Sequence, residues 1–322
     1  MHAIEARGLR KEYPGAVVAV DGIDLEVEEG EIFAFLGPNG AGKTTTVRIL
    51  TTLLRPTAGT ATVAGFDLYR EQREIRQSIG VALQEAGLDA IATGRELLEL
   101  QAKLFGLPAA AARRRAGELL GLVGLVDAAE RQIKTYSGGM KRRLDLASAL
   151  VHGPRLLFLD EPTEGLDPAS RHSLWQEVSR LNSTLGVTVF LTTHYLEEAD
   201  RLADRVAIID RGRIVSEGTP SALKASVSGD IVTISVSREH LDEAHTVLAR
   251  LDGVAEVRLE IESLTLFVDD GSSIVASVIR ALDSSGVSVG SVAVSRPTLD
   301  EVFLRATGSR LEGAAPEQGG GE

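Results

Sequence analysis

The stretch Gly37-Pro38-Asn39-Gly40-Ala41-Gly42-Lys43-Thr44 constrains this 322-residue chain more than any other. The mostly apolar run Glu31-Ile32-Phe33-Ala34-Phe35-Leu36 precedes it and the helix-like Thr45-Thr46-Val47-Arg48-Ile49-Leu50 follows. The order is therefore strand, glycine-rich turn, helix start. With the spacing G-x4-G-K-T, small residues let backbone N–H groups converge on phosphate oxygens while the new helix aims its positive end at them. Lys43 would reach the β- and γ-phosphates, and the Thr44 hydroxyl would ligate Mg²⁺.

Length predicts one large domain with a smaller one appended, and 43% hydrophobic residues allow a sizeable core. No window approaches the roughly 18 uninterrupted apolar residues that cross a bilayer, and the amino terminus has no secretory apolar region, so the expectation is an intracellular chain that spans no membrane. Zero cysteines exclude disulfides, thiolate catalysis and cysteine-held zinc. A net charge of -12 argues against broad attraction to nucleic acid. The part beyond residue 220, with 8 basic and 16 acidic residues, is no basic module either.

Residues 3 to 36 read as short alternating strands with turns at Tyr13-Pro14-Gly15, Asp21-Gly22 and Glu29-Gly30, an antiparallel edge leading into the strand before the glycine loop. From about Arg95 to Arg131 the apolar spacing becomes helical. Near-continuous apolar strands at Arg155–Leu159 and Val187–Leu191 flank a helix around Leu174–Leu185, which predicts a mostly parallel sheet covered on both faces. After Gly218-Thr219-Pro220, strands at Val232–Val236, Val254–Ile261, Leu264–Val268 and Val287–Val294 alternate with helices at Leu241–Leu251 and Ile274–Leu282. That order, β-α-β-β-α-β, is a small split-βαβ sandwich. Residues 309–322, rich in Gly, Ala and Glu, have nothing to bury and are expected to be disordered.

Asp160 and Glu161 end a buried strand, where an α/β sheet presents its ligands. Asp160 would support Mg²⁺ and Glu161 would orient or deprotonate an attacking water; taken alone, the pair could equally begin an exposed acidic loop. His194 emerges after Leu191-Thr192-Thr193 at the same edge, where it could bond a terminal phosphate or serve the fold. Ser137-Gly138-Gly139 before the helical run Lys141–Val151 suits either an N-cap or a second phosphate-binding surface.

In this order, the residues resemble the nucleotide-binding subunit of ABC transporters over roughly residues 1 to 220. Gly37–Thr44 looks like the Walker A loop, Leu156–Asp160 the Walker B strand with Glu161 as catalytic base, and Gln84 the Q-loop glutamine. Ser137-Gly138-Gly139 resembles the ABC signature, although Tyr136 and Met140 depart from its commonest LSGGQ form. Gly165-Leu166-Asp167 resembles the D-loop, His194 the switch histidine, and Tyr13 the aromatic residue that stacks on adenine. The resemblance implies ATP and Mg²⁺ as ligands, with nucleotide contacts from Tyr13, Gly37, Pro38, Asn39, Gly40, Ala41, Gly42, Lys43, Thr44, Thr45, Gln84, Ser137, Gly138, Gly139 and Asp167. It implies metal contacts from Thr44, Gln84 and Asp160, and catalytic roles for Glu161 and His194. The segments Tyr136–Ala147, Glu161–Pro168 and Pro297–Leu304 are similar to the daunorubicin-resistance-type branch of bacterial drug exporters.

The fold class implied is α/β: a P-loop cassette over 1–220 with a helical subdomain about 85–150, then a small α+β domain over 221–308. The resemblance further implies a homodimer, a separate transmembrane permease, peripheral placement on the cytoplasmic side of the membrane, and no direct nucleic-acid partner. Export of a drug, antibiotic or lipid-like substrate is the leading expectation. A soluble ATPase acting on nucleic acid or the ribosome, and an importer ATPase, are the alternatives. The terminal helix N-capped at Thr298 would either pack Leu299, Val302 and Phe303 on the small domain or contact another subunit.

Overall fold

Alternating apolar residues at the amino terminus build two long strands in the computed structural model, β1 (His2–Tyr13) and β2 (Val17–Glu28), which pair antiparallel. The structure describes residues 2–84, 87–226, 229–259, 263–268, 271–295 and 297–308, in two compact units that part between Pro220 and Ser221. The turn expected at Asp21-Gly22 does not form: β2 runs through it. Opposite Leu9 and Arg10 the pairing steps from Ile23 to Asp21, so Gly22, at φ 71°, is the extra residue of a β-bulge.

The chain continues through β3 (Ile32–Leu36), α1 (Lys43–Leu50), β4 (Ala58–Val63), β5 (Phe66–Asp67), α2 (Gln72–Ser78) and β6 (Ile79–Ala82). Three helices follow, α3 (Gly94–Leu104), α4 (Ala109–Leu122) and α5 (Gly138–Ala149), then β7 (Leu156–Asp160), α6 (Pro168–Leu185), β8 (Thr188–Thr193), α7 (Leu196–Leu202), β9 (Arg205–Asp210) and β10 (Arg213–Gly218). The helical stretch expected over Arg95–Arg131 is broken between α3 and α4, where Gly106 takes φ 89° and Pro108 precedes α4. Thr93 and Glu96 close a capping box that starts α3.

The strands sort into two sheets. One is antiparallel, ordered β2-β1-β4-β5; the other has six strands, ordered β10-β9-β3-β8-β7-β6, parallel except for β10. The amino-terminal strands are thus a separate sheet rather than the edge of the parallel one, because β1 finds its second partner in β4. Between the sheets lies one core in which Val47, Ile49 and Leu50 of α1 meet Ile4, Leu9 and Leu25 and the rings of Phe33, Phe35, Phe158 and Phe190. Phe190 is central among those rings, its centroid 5.5–5.7 Å from the other three. β3, β7 and β8 are buried along their whole length, as their near-continuous apolar sequences require of strands covered on both faces.

The second unit begins in α8 (Pro220–Ser226) and contains β11 (Asp230–Val236), α9 (Leu241–Leu248), β12 (Val254–Leu259), β13 (Ser263–Val268), α10 (Gly271–Ser284), β14 (Val289–Ser295) and α11 (Leu299–Thr307). Its sheet is ordered β12-β13-β11-β14 with every pairing antiparallel. Leu241, Ala244 and Leu248 of α9 and Ile274, Val278 and Leu282 of α10 pack on Val232, Ile234, Leu264 and Leu266. Thr298 and Glu301 cap α11, and its Leu299, Val302 and Phe303 are buried. Ile261 of the expected second strand and the tail 309–322 lie outside the described residues.

Candidate active site

Strand register brings the site together. Leu36 pairs with Thr193 and Asp160 with Thr192, so the residues that follow each strand, Gly37, Glu161 and His194, leave the parallel sheet side by side. Ala82 pairs with Leu159, which delivers Gln84 to the same edge. This is the carboxyl end of the strands, where such sheets bind ligands.

The glycine loop is shaped by close backbone approach. A Cβ on Gly37 would stand 2.3 Å from the carbonyl oxygen of Ile209, and one on Gly42, which adopts φ 109° as it caps α1, would stand 2.3 Å from that of Ala19. The Ala41 carbonyl accepts from the Gly212 amide at 2.9 Å, and Ala41 donates to Pro38 at 3.2 Å, so Pro38 and Ala41 brace the loop. Lys43 is buried; its Nζ donates to the carbonyls of Gly37 at 2.7 Å and Pro38 at 3.0 Å and lies 3.0 Å from Glu161 Oε1.

Glu161 is fixed at every atom of its peptide unit. Its N–H donates to the carbonyl and to the hydroxyl of Thr192, both at 3.1 Å, and its carbonyl accepts from Glu164 N–H at 3.2 Å. Its φ of 49° is left-handed, a conformation that costs a non-glycine residue roughly 1–2 kcal/mol and that the surrounding bonds must hold. The carboxylate bridges Lys43 on one oxygen and His194 Nδ1, at 3.1 Å, on the other.

Asp160 Oδ1 accepts from the hydroxyls of Thr192 at 2.6 Å and Thr44 at 3.2 Å. The Gln84 amide nitrogen donates to Glu164 at 2.6 Å. Hydroxyl, carboxylate and amide oxygens from Thr44, Asp160 and Gln84 make a hard oxygen donor set, which fits Mg²⁺. A cleft of about 290 Å³ opens over this floor, lined by Asn39, Gly40, Gly42, Lys43, Thr44, Thr45, Gln84, Glu161 and Ala19.

Of the residues assigned from the sequence, Gly37, Pro38, Ala41, Asp160 and His194 lie behind that wall and are bonded to its members or brace the loop, whereas Tyr13, Ser137, Gly138, Gly139 and Asp167 stand apart from it. Tyr13 is not in its wall and carries the Lys11 ammonium 5.3 Å from its ring centre. Ser137 caps α5, accepting from Met140 N–H at 3.2 Å, and the N-cap reading of this serine is the one its own chain displays. Gly138 and Gly139 form the first turn of that helix, Gly139 so near Ser170 that a Cβ would meet Oγ at 2.9 Å. Asp167 caps α6, and hydrogen bonds from Ser170 hold its carboxyl below the usual range.

Arg142, on α5, carries no role in the sequence reading. Buried, it donates from Nε to Pro162 O at 2.7 Å, from Nη1 to Leu83 O at 2.7 Å and Gln84 O at 3.4 Å, and from Nη2 to Glu161 O at 2.8 Å and Asp160 O at 3.2 Å. Asp145, one turn along the helix, lies 3.5 Å from Nη1. Burial pushes the Asp145 carboxyl up to about 6, with Arg142 acting the other way. The signal available in the sequence is slight, an Arg/Asp pair three apart in a helix that also carries Lys141 and Arg143 beside Arg142. Another buried carboxylate, Glu198, accepts from Trp175 Nε1 at 2.8 Å, and burial raises it.

A family model described as ABC transporter matches residues 20–164, and one described as ATP-binding protein DrrA1-3-like, C-terminal domain, matches 218–307. Daunorubicin resistance ATP-binding protein DrrA2 of Streptomyces coeruleorubidus is 47% identical over 97% of this chain and 97% of its own. Linearmycin resistance ATP-binding protein LnrL of Bacillus subtilis is 37% identical over 96% and 99%. Among solved structures, a dimeric ATP-binding cassette in a post-hydrolysis state with ADP and Pi superposes with a TM-score of 0.62 at 27% identity, covering 67% of this chain and 98% of that one.

Proposed function

The chain belongs to the ABC transporter ATP-binding family, in its daunorubicin-resistance-type branch, and from that premise we propose how its residues divide the work of ATP hydrolysis. It is the ATP-binding and hydrolysing subunit of an ABC export system. The observation that carries the division of roles is the convergence of Lys43, Thr44, Asp160, Glu161 and His194 at the carboxyl end of one parallel sheet.

The amides of Asn39–Thr45 and the Lys43 ammonium hold the β- and γ-phosphates, and Tyr13 meets the adenine. Thr44, Asp160 and Gln84 would hold Mg²⁺, which neutralises charge on the phosphates. Glu161 aligns the attacking water and accepts its proton, and His194, already hydrogen-bonded to that carboxylate, keeps it turned toward the γ-phosphate. Glu161 and the phosphate compete for Lys43, so a bound nucleotide draws the lysine from the carboxylate and leaves the base free.

Ser137, Gly138, Gly139 and Asp167 lie outside the cleft of their own chain, and a head-to-tail homodimer gives them a ligand: the nucleotide on the partner subunit's glycine loop. The dimeric cassette among the structural relatives supports that reading. Among the described residues no helix is long and apolar enough to cross a membrane. The relatives named as ATP-binding proteins of resistance systems support a translocation path on a separate permease, with this chain working against its cytoplasmic face. Relatives named for daunorubicin and linearmycin resistance support a drug, antibiotic or lipid-like cargo.

Purified chain, with its permease in vesicles, should hydrolyse ATP, and Glu161→Gln should retain ATP while turnover falls by about a hundredfold or more. Hydrolysis by Glu161→Gln at the wild-type rate would remove the base assignment.

A further inference from the structure

Arg142 uses all three guanidinium nitrogens on main-chain carbonyls of two separate segments. Leu83 and Gln84 belong to the segment that follows β6; Asp160, Glu161 and Pro162 end β7 and open the loop beyond it. Both segments wall the cleft, through Gln84 and Glu161, while Arg142 itself is not in that wall. We infer that Arg142 is a positioning residue for hydrolysis, holding the Glu161 carboxylate and the Gln84 amide in one rigid frame tied to α5.

Three observations support the assignment. First, the left-handed backbone at Glu161 needs outside support for its carbonyl, and Arg142 supplies the shorter of its two hydrogen bonds, 2.8 Å against 3.2 Å from Glu164. Second, a planar fork of five N–H donors matches acceptors fixed at several angles in a way that an ammonium does not. Third, α5 opens with Ser137-Gly138-Gly139 only one turn before Arg142, so the surface assigned to the partner's nucleotide and the chain's own base are joined through a single side chain. Asp145 completes the frame by sharing Nη1. The inference rests on the assignment of Glu161 as base.

The test is steady-state ATPase and ATP binding of the full chain carrying Arg142→Gln or Arg142→Lys, alone and combined with Glu161→Gln. A base displaced by a fraction of an ångström slows chemistry without loosening substrate, so Arg142→Gln should lower kcat by roughly tenfold to a hundredfold while the ATP Kd stays within about twofold. Arg142→Lys, with one charged centre for several carbonyls, should fall between. In the Glu161→Gln background, single-turnover hydrolysis should drop no further when Arg142 is also changed, because the group it positions is gone. A wild-type kcat in Arg142→Gln overturns the assignment, as does a Kd that weakens in step with kcat, or independent losses in the double variant. If neither variant folds, Arg142 is a staple of the fold alone and the assignment is equally overturned. A wild-type chain without ATPase would instead sink the reading of the site itself.

Discussion

At Glu161 the main chain is committed before the side chain acts: its amide serves β8, its carbonyl serves Arg142 and the following turn, and what remains is a carboxylate between a cation and an imidazole. Lys43 has the complementary position, with two carbonyls and Glu161 as its acceptors. Lys43→Ala should therefore weaken ATP binding itself by about tenfold to a hundredfold, the worth of one charge-assisted hydrogen bond to phosphate, and calorimetric titration of the variant would show it. Asp145 gives a pH signature. The folded chain holds its proton at about 6 against an ordinary 3.8, so folding is favoured by that group at low pH and penalised once the buried carboxylate ionises. Across that interval the penalty grows to about 3 kcal/mol. Relative to Asp145→Asn, the wild type should lose stability from about pH 4 to pH 7 and hold a constant difference above, read by urea denaturation at each pH. Parallel curves for the two proteins would contradict the shift.

Among the elements, β6 and α5 approach closely near the site. A Cβ on Gly80 would stand 2.3 Å from the carbonyl of Ala149 and 3.0 Å from Pro154, so Gly80→Ala should destabilise the chain by about 1–3 kcal/mol and lower its Tm, since backbone rather than a movable side chain is in the way. An unchanged Tm would mean that α5 slides freely on the sheet. Elements with a strong local signal were legible in the sequence: β3, β7 and β8 have near-continuous apolar runs, α3 and α4 keep helical spacing, and the glycine loop, Asp160-Glu161 and His194 stand at strand ends. What was not legible depended on partners distant in the chain. Gly22 reads as a turn residue, and only the offset of β1 against β2 makes it a bulge. The amino-terminal strands read as an edge of the main sheet because nothing local says that β4 will claim β1. Arg142 has no role in the sequence reading, since the carbonyls it donates to lie 18 to 59 residues away.

On the scale of the whole chain, the division between Pro220 and Ser221 separates two cores that share no member, one around Phe190 and one around Val232 and Leu266. Residues 1–220 expressed alone should bind ATP within about twofold of the full chain, and calorimetry of the full chain should resolve two transitions. Loss of nucleotide binding on truncation would show that the second unit takes part in the site. The strand order of the parallel sheet has one more consequence. β3 carries the glycine loop, yet its two hydrogen-bonded neighbours, β8 and β9, pair with it from 157 and 172 residues later. During synthesis, the ribosome releases this wholly apolar strand long before its sheet partners exist. The nascent chain therefore carries an unpaired apolar strand for most of a cassette's length, which leaves it open to aggregation until its late partners emerge.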